Sequence, residues 1–214
     1  MKLVLFDCDG TLVDSQNAIA AAMDDAFKAV GRPSPGRART LSIVGLSLPE
    51  AIAALAPSEP VDVQVRLAEG YRAASQRIRL AQAEDPLYPG ADAAVRALAA
   101  RKETVLGTAT GKSLRGVHRM IAHNGWDGLF ATLQTADDNP SKPDPGMIRR
   151  AIAETGATVA DTVMIGDTTF DMLMARAAGV RAIAVSWGYH PVDDLREAGA
   201  HDVVDSFEQL VALI

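Results

Sequence analysis

The stretch Leu3-Val4-Leu5-Phe6-Asp7-Cys8-Asp9-Gly10-Thr11 decides how the rest of the chain reads. Leu3–Phe6 is a short, continuous apolar run bounded by polar residues, the pattern of a buried parallel strand. It runs directly into Asp7 and Asp9. Residues two apart in extended backbone face the same side, so both carboxylates lean toward one cleft at the strand's carboxyl end. Open α/β sheets bind ligands at that end. Gly10 lets the chain turn sharply there. An ordinary acidic turn after a strand would use the same residue types, so this motif alone leaves a structural and a functional reading open.

Working outward, similar runs recur at Thr104–Gly107, Thr162–Ile165 and Arg181–Val185, with weaker ones at Leu129–Leu133 and Asp202–Val204. Stretches of helical periodicity separate them, at 91–101, 113–123, 145–155, 168–178, 192–199 and 206–213. Strand alternating with helix predicts a doubly wound, mainly parallel α/β sheet with helices on both faces. Residues 15–84 break the alternation. Ile19, Met23, Phe27 and Val30 share one helical face. Leu48, Ile52 and Leu55 suggest a second helix, and Val61 to Arg79 a third. Pro33, Pro35, Gly36, Pro57 and Pro60 punctuate them. The expectation is a core of residues 1–14 and 85–214 carrying an inserted helical cap, residues 15–84, with hinges near Asp14–Gln16 and Glu84–Tyr88.

Composition narrows the function. The chain has 214 residues, 48% hydrophobic and 22% charged, which is ordinary for a globular protein. Aromatics are only 5%, so Ala, Val, Leu and Ile must build the core. A net charge of −6 argues against nucleic acid as a partner, because neutralising phosphates needs clustered positive charge. A single Cys cannot form an intrachain disulfide, and no Cys/His spacing fits zinc. No apolar run approaches the ~20 residues that span a bilayer. The expectation is a soluble cytoplasmic protein with no membrane partner, a monomer or a homodimer.

A second acidic pair follows a later predicted strand, in Gly166-Asp167-Thr168-Thr169-Phe170-Asp171. Asp167 ends the strand and Asp171 is one helical turn on, so both can face one crevice. A helix start explains Asp167 through the helix dipole, but explains Asp171 poorly. Like charges ~4 Å apart repel by ~4 kcal/mol at an effective dielectric of 20, so something positive should sit among these carboxylates. All-oxygen ligand sets suit Mg²⁺. In Ser141-Lys142-Pro143-Asp144-Pro145 the prolines stiffen a loop that could aim Lys142 into the cleft. Thr108-Ala109-Thr110-Gly111-Lys112-Ser113 fails the spacing of a P-loop, because Leu106 stands where the first glycine is required. What survives is an anion site, with the Thr110 hydroxyl and backbone N–H groups at a helix start.

These four pieces, in this order, resemble the haloacid dehalogenase superfamily, and within it the phosphoglycolate phosphatase-like hydrolases with a helical cap after the first strand. The resemblance covers essentially the whole chain. It implies a Rossmann-like sheet with the first strand central, flanked by the strands ending near Thr110 and Asp167. It implies a nucleophile at Asp7 that forms an aspartyl-phosphate, and a general acid, then base, at Asp9. Asp7, Asp167 and the backbone carbonyl of Asp9 would hold Mg²⁺. Gly10, Thr11, Thr110, Gly111 and Lys142 would bind the phosphoryl group, with Lys142 offsetting its charge. Asp171 would support the site by orienting Lys142 or a metal-bound water.

The implied activity is hydrolysis of a small phosphorylated metabolite, with 2-phosphoglycolate as one candidate. A sugar phosphomutase, a pyrophosphatase or nucleotidase, and a non-catalytic binding module are the competing readings. The sequence departs from the family in reading Thr110-Gly111-Lys112 where many relatives have Thr-Asn-Lys. Lys112 could approach substrate or belong to a solvated helix start. Cys8 points away from Asp7 and Asp9 and reads as core. Arg37 and Arg39 read as solvated. The four histidines form no ligand spacing. Trp187-Gly188-Tyr189-His190 could shape the cleft rim or cover the sheet edge.

Overall fold

The computed structural model describes residues 1–81 and 84–214. Six strands form one sheet: β1 (Lys2–Phe6), β2 (Thr104–Thr110), β3 (Phe130–Thr135), β4 (Thr162–Gly166), β5 (Arg181–Val185) and β6 (Asp202–Val204). Their order is β3-β2-β1-β4-β5-β6, and every neighbouring pair is parallel. β1 is therefore interior, paired on one side to β2 and on the other to β4. The doubly wound α/β fold expected from the sequence is the fold observed.

Residue alternation on β1 shows why the run is apolar throughout. Val4 and Phe6 enter one hydrophobic cluster with Leu106, Val163 and Ile183, while Leu3 and Leu5 enter another with Met147, Met164 and Ala182. Both faces are covered, and Leu3 through Phe6 are fully buried. Burying each such side chain is worth ~1.5–3 kcal/mol. The helices on the two faces are α5 (Ala91–Ala99), α6 (Leu114–His123), α7 (Gly146–Thr155), α8 (Thr169–Ala178), α9 (Val192–Glu197) and α10 (Phe207–Leu213). Ser113 and Thr168 start α6 and α8 as side-chain caps.

β2 runs three residues past the expected end. The extra residues are held by pairing to β3, with Ala109 opposite Gln134 and Thr110 opposite Thr135. That pairing is tertiary and leaves no trace in the hydrophobic pattern of β2 itself.

Between β1 and β2 the chain forms α1 (Gln16–Ala29), α2 (Arg37–Leu41), α3 (Leu48–Leu55) and α4 (Val61–Ala81). Met23, Phe27, Ile52, Leu55 and Leu67 share a third apolar cluster, distinct from the two that sandwich the sheet. α2 was not expected from the sequence, because its five residues are too short to show a period. Residues 82 and 83, at the end of the expected insert, lie outside the described residues. No helix among the described residues is long and apolar enough to cross a membrane.

Candidate active site

β1 ends at Phe6, so Asp7 and Asp9 emerge at the carboxyl edge of the sheet between the ends of β2 and β4. Asp7, Asp9, Thr110 and Gly111 line a cavity of about 900 Å³ whose other walls come from α1, α4, α6, the 43–51 segment and the segment between β3 and α7. Lys142, Asp167 and Asp171 are fully buried and do not line that cavity; they pack behind Asp7.

Lys142 is the hub of the buried group. Its Nζ lies 2.6 Å from Asp171 Oδ1 and 3.2 Å from Asp7 Oδ1. Burial works against its ammonium, but Asp171 and Asp7 outweigh that and hold its pKa above the ordinary lysine value. Asp171 has a second task. Its Oδ2 accepts the Thr168 N–H at 3.0 Å and the Thr168 hydroxyl at 2.7 Å, closing the capping box of α8. The helix-start role therefore accounts for one oxygen of Asp171, and the lysine accounts for the other.

Asp167 is gripped from two sides. The Thr11 hydroxyl donates to Oδ1 at 2.7 Å, and the Tyr189 N–H donates to Oδ2 at 2.9 Å. A β-carbon on Gly10 or Gly188 would overlap this carboxylate, so both glycines are required by close approach. The Gly10 N–H donates to the Val13 carbonyl and the Thr11 hydroxyl to Asp167, and neither residue lines the cavity. The Trp187–His190 segment wraps the same residue: the Trp187 indole donates to the Thr11 carbonyl at 3.1 Å, and His190 N–H reaches the Asp167 carbonyl.

Asp7, Asp167 and Asp171 offer carboxylate oxygens that all lie within 4.8 Å of one another. Burial first, then the neighbouring carboxylates, push the Asp167 pKa well above the usual range. Burial also pushes Asp7 up to about 6, against the pull of Lys142. Asp7 Oδ2 is buried without a hydrogen-bond partner. Three acids, one lysine and an orphaned oxygen make a site that fits a divalent cation with oxygen ligands. The Asp9 carboxylate is not in this group. It turns to Lys112 Nζ at 2.6 Å and to the Ser15 hydroxyl at 2.7 Å, and Ser15 in turn meets the Tyr189 hydroxyl at 3.1 Å.

Lys112, Ser15 and Tyr189 are thus placed at the site by the fold, and of these only Lys112 and Tyr189 lie within stretches that the sequence singles out. Lys112 is largely withdrawn from solvent, not a solvated helix start. Cys8 faces the core, and burial first, then Asp7 and Asp9, push its thiol up to about 12. Arg37 and Arg39 are exposed and off the cavity.

The sequence profile of the haloacid dehalogenase-like hydrolases matches residues 4–185. The chain is 34% identical over 212 residues to the "Probable phosphatase IndB" of Dickeya dadantii, covering 98% of this chain and 91% of that one. It is 29% identical to the phosphoglycolate phosphatase of Pseudomonas syringae pv. syringae, covering 98% and 78%. The crystal structure of a hydrolase from Pseudomonas syringae superposes with a TM-score of 0.87 at 25% identity, covering 100% and 97%. By profile, sequence and fold alike, the chain belongs to the haloacid dehalogenase-like hydrolases.

Proposed function

We propose that the protein is a Mg²⁺-dependent phosphatase that hydrolyses a small phosphomonoester through an aspartyl-phosphate at Asp7. The observation that carries this reading is the convergence of Asp7, Asp9 and Thr110 on one cavity floor, with Lys142 2.6–3.2 Å from two buried carboxylates behind it. The names of the relatives point the same way, two of them phosphatases and one of these a phosphoglycolate phosphatase.

In this reading an Asp7 carboxylate oxygen attacks phosphorus, the bond to the leaving oxygen breaks, and Asp9 delivers a proton to that oxygen. Asp9, now a carboxylate, then takes a proton from the water that attacks the phosphorus of the aspartyl-phosphate. Phosphate leaves and Asp7 is regenerated. The Thr110 hydroxyl and the Gly111 N–H hold phosphoryl oxygens, and Lys142 keeps Asp7 ionised while offsetting charge. Mg²⁺ would be held by Asp7, Asp167 and the Asp9 backbone carbonyl, and when bound would neutralise carboxylate and phosphoryl charge together. Residues 15–84 would act as a cap over a core of 1–14 and 85–214, excluding bulk water during the first transfer.

The test is phosphate release from a panel of phosphorylated metabolites, with Mg²⁺ and with EDTA, in wild type and Asp7→Asn. Release that needs both Mg²⁺ and Asp7 supports the reading. Transfer to a second hydroxyl with little free phosphate would instead identify a phosphomutase. No turnover in folded protein would sink both.

A further inference from the structure

Two hydrogen-bond donors meet the Asp9 carboxylate, and both fall on the same oxygen. Lys112 Nζ lies 2.6 Å from Oδ1, and the Ser15 hydroxyl donates to Oδ1 at 2.7 Å. Among the described residues no donor engages Oδ2. Asp9 lines the cavity, so Oδ2 is the oxygen left to a substrate. When the acid is protonated its proton sits on Oδ2, because Oδ1 already accepts twice. An acid held in this way delivers from one atom and in one direction.

Ser15 gives up an ordinary task to hold it. It stands at the N-cap of α1, where a serine hydroxyl usually accepts a backbone N–H of the first turn, yet its side chain makes no such bond. It is 2% exposed. Its single proton goes to Asp9, so the Tyr189 hydroxyl, 3.1 Å from Ser15 Oγ, is the donor of that contact. The donors run in one sense, from phenol to serine to carboxylate. The phenol keeps its own proton and enters no step of the reaction. Tyr189 stands behind Ser15, off the cavity. Its other end holds Asp167, through the backbone N–H 2.9 Å from Oδ2. One residue thereby reaches both the acid and a carboxylate of the buried group.

We propose that Tyr189 is a positioning residue for the general acid: its hydroxyl fixes the Ser15 hydroxyl, which fixes Asp9 with Oδ2 toward the leaving oxygen. This rests on the phosphatase reading above and deepens it. The side chain acts through Ser15 and not through Asp167, because the bond to Asp167 uses the backbone.

The experiment compares two leaving groups. 2,4-Dinitrophenolate departs without a proton, whereas an alkoxide needs one. Wild type, Tyr189→Phe, Ser15→Ala, the double variant and Ser15→Thr are measured for kcat/KM, which reads the first transfer. The substrates are 2,4-dinitrophenyl phosphate and the alkyl phosphate turned over fastest in the panel above. Tyr189→Phe should lose about 10-fold on the alkyl phosphate and clearly less on the aryl one. Ser15→Ala should lose at least as much, and the double variant no more than Ser15→Ala, since the two hydroxyls act in series. Ser15→Thr, which keeps the hydroxyl, should recover most of the loss. The Mg²⁺ concentration for half-maximal activity should keep its wild-type value in Tyr189→Phe. Equal losses on both substrates, no loss on either, additive losses in the double variant, or a shifted Mg²⁺ dependence would each overturn the proposal. Should wild type cleave neither compound, the phosphatase reading fails. The side-chain carboxyl carbon resonance of Asp9, identified with Asp9→Asn, then decides the positioning by itself: it should move in Tyr189→Phe as in Ser15→Ala, and a resonance that stays in place in Tyr189→Phe overturns it.

Discussion

Gly111 and Gly45 meet backbone to backbone: a β-carbon on Gly111 would stand 2.7 Å from the Gly45 carbonyl oxygen, and equally close to that of Leu46. The turn between α2 and α3 thus rests directly on the loop after β2. It is tied to the core again at Ser47, whose N–H donates to the Ser141 hydroxyl at 2.7 Å. This contact gives a physical reason for Thr110-Gly111-Lys112 where relatives carry asparagine at the middle position. A side chain there would occupy the space the turn now fills.

Gly111→Asn should therefore push the 43–47 turn off the core. Activity is expected to fall by roughly 10- to 100-fold, mainly through KM, because a displaced wall misplaces substrate. Steady-state kinetics on the best substrate checks this, with Gly111→Ala as the smaller step. Unchanged kinetics in both variants would mean the turn yields freely and the contact is incidental.

Metal-free protein should gain stability when Asp7 becomes asparagine. Asp7 is buried, its Oδ2 has no partner, and burial together with Asp171 and Asp9 pushes its pKa up to about 6 despite Lys142. A carboxyl whose folded pKa exceeds its unfolded value is more costly to fold once ionised. The metal-free wild type is thus most favoured below about pH 4 at this residue and loses that advantage as pH rises through about 6. Asp7→Asn removes the penalty while reducing turnover by ~10⁴-fold or more. Thermal melts in EDTA at pH 7 should show a Tm several degrees above wild type for Asp7→Asn. Adding Mg²⁺ should raise Tm for wild type and do far less for the variant. A lower Tm for Asp7→Asn in EDTA would contradict this account of the buried charges.

Much of this site was legible in the sequence because its parts sit at strand ends, and strand ends are where an apolar run stops. Asp7 and Asp167 each follow such a run directly, so the parallel sheet that the runs predict brings them together. Lys142 was harder. Nothing local sets it apart from a surface lysine, and its burial depends on Asp171 coming from a helix 29 residues away. Lys112, Ser15 and Tyr189 were illegible as a set. They meet around Asp9 only after α1 and the segment after β5 fold to the same sheet edge.

Lys112 should matter through Asp9. Its Nζ is 2.6 Å from Asp9 Oδ1, and Asp9 in turn raises the Lys112 pKa against the effect of burial. Lys112→Met removes the group that fixes the Asp9 carboxylate in one orientation, leaving Ser15 alone. kcat should fall by about 10-fold or more, with a smaller change in KM, since a general acid acts only from a fixed position. Lys112→Arg should restore part of the loss. If Lys112 serves substrate binding instead, the effect will sit in KM and leave kcat intact.

Gly188→Ala is the sharpest test of the cradle around Asp167. Gly188 lies in the loop after β5, outside the four motifs, and its backbone conformation is one alanine can adopt. The obstacle is steric, because the added methyl would occupy the volume of the Asp167 carboxylate. Either Asp167 swings away or the loop retreats, and the Tyr189 N–H to Oδ2 bond of 2.9 Å is strained in both cases. Overpacking of this kind costs ~1–3 kcal/mol, which should appear as a lower Tm in EDTA. Residues that orient a ligand set typically change metal affinity by ~10- to 100-fold when altered, so the Mg²⁺ concentration for half-maximal activity should rise by that factor. Gly10→Ala should act in the same direction, because its β-carbon would also overlap the Asp167 carboxylate, with added strain from its positive φ of 89°. A Gly188→Ala protein with wild-type Mg²⁺ dependence would show that Asp167 is not held in place by the 187–190 segment, and that Thr11 alone suffices to orient it.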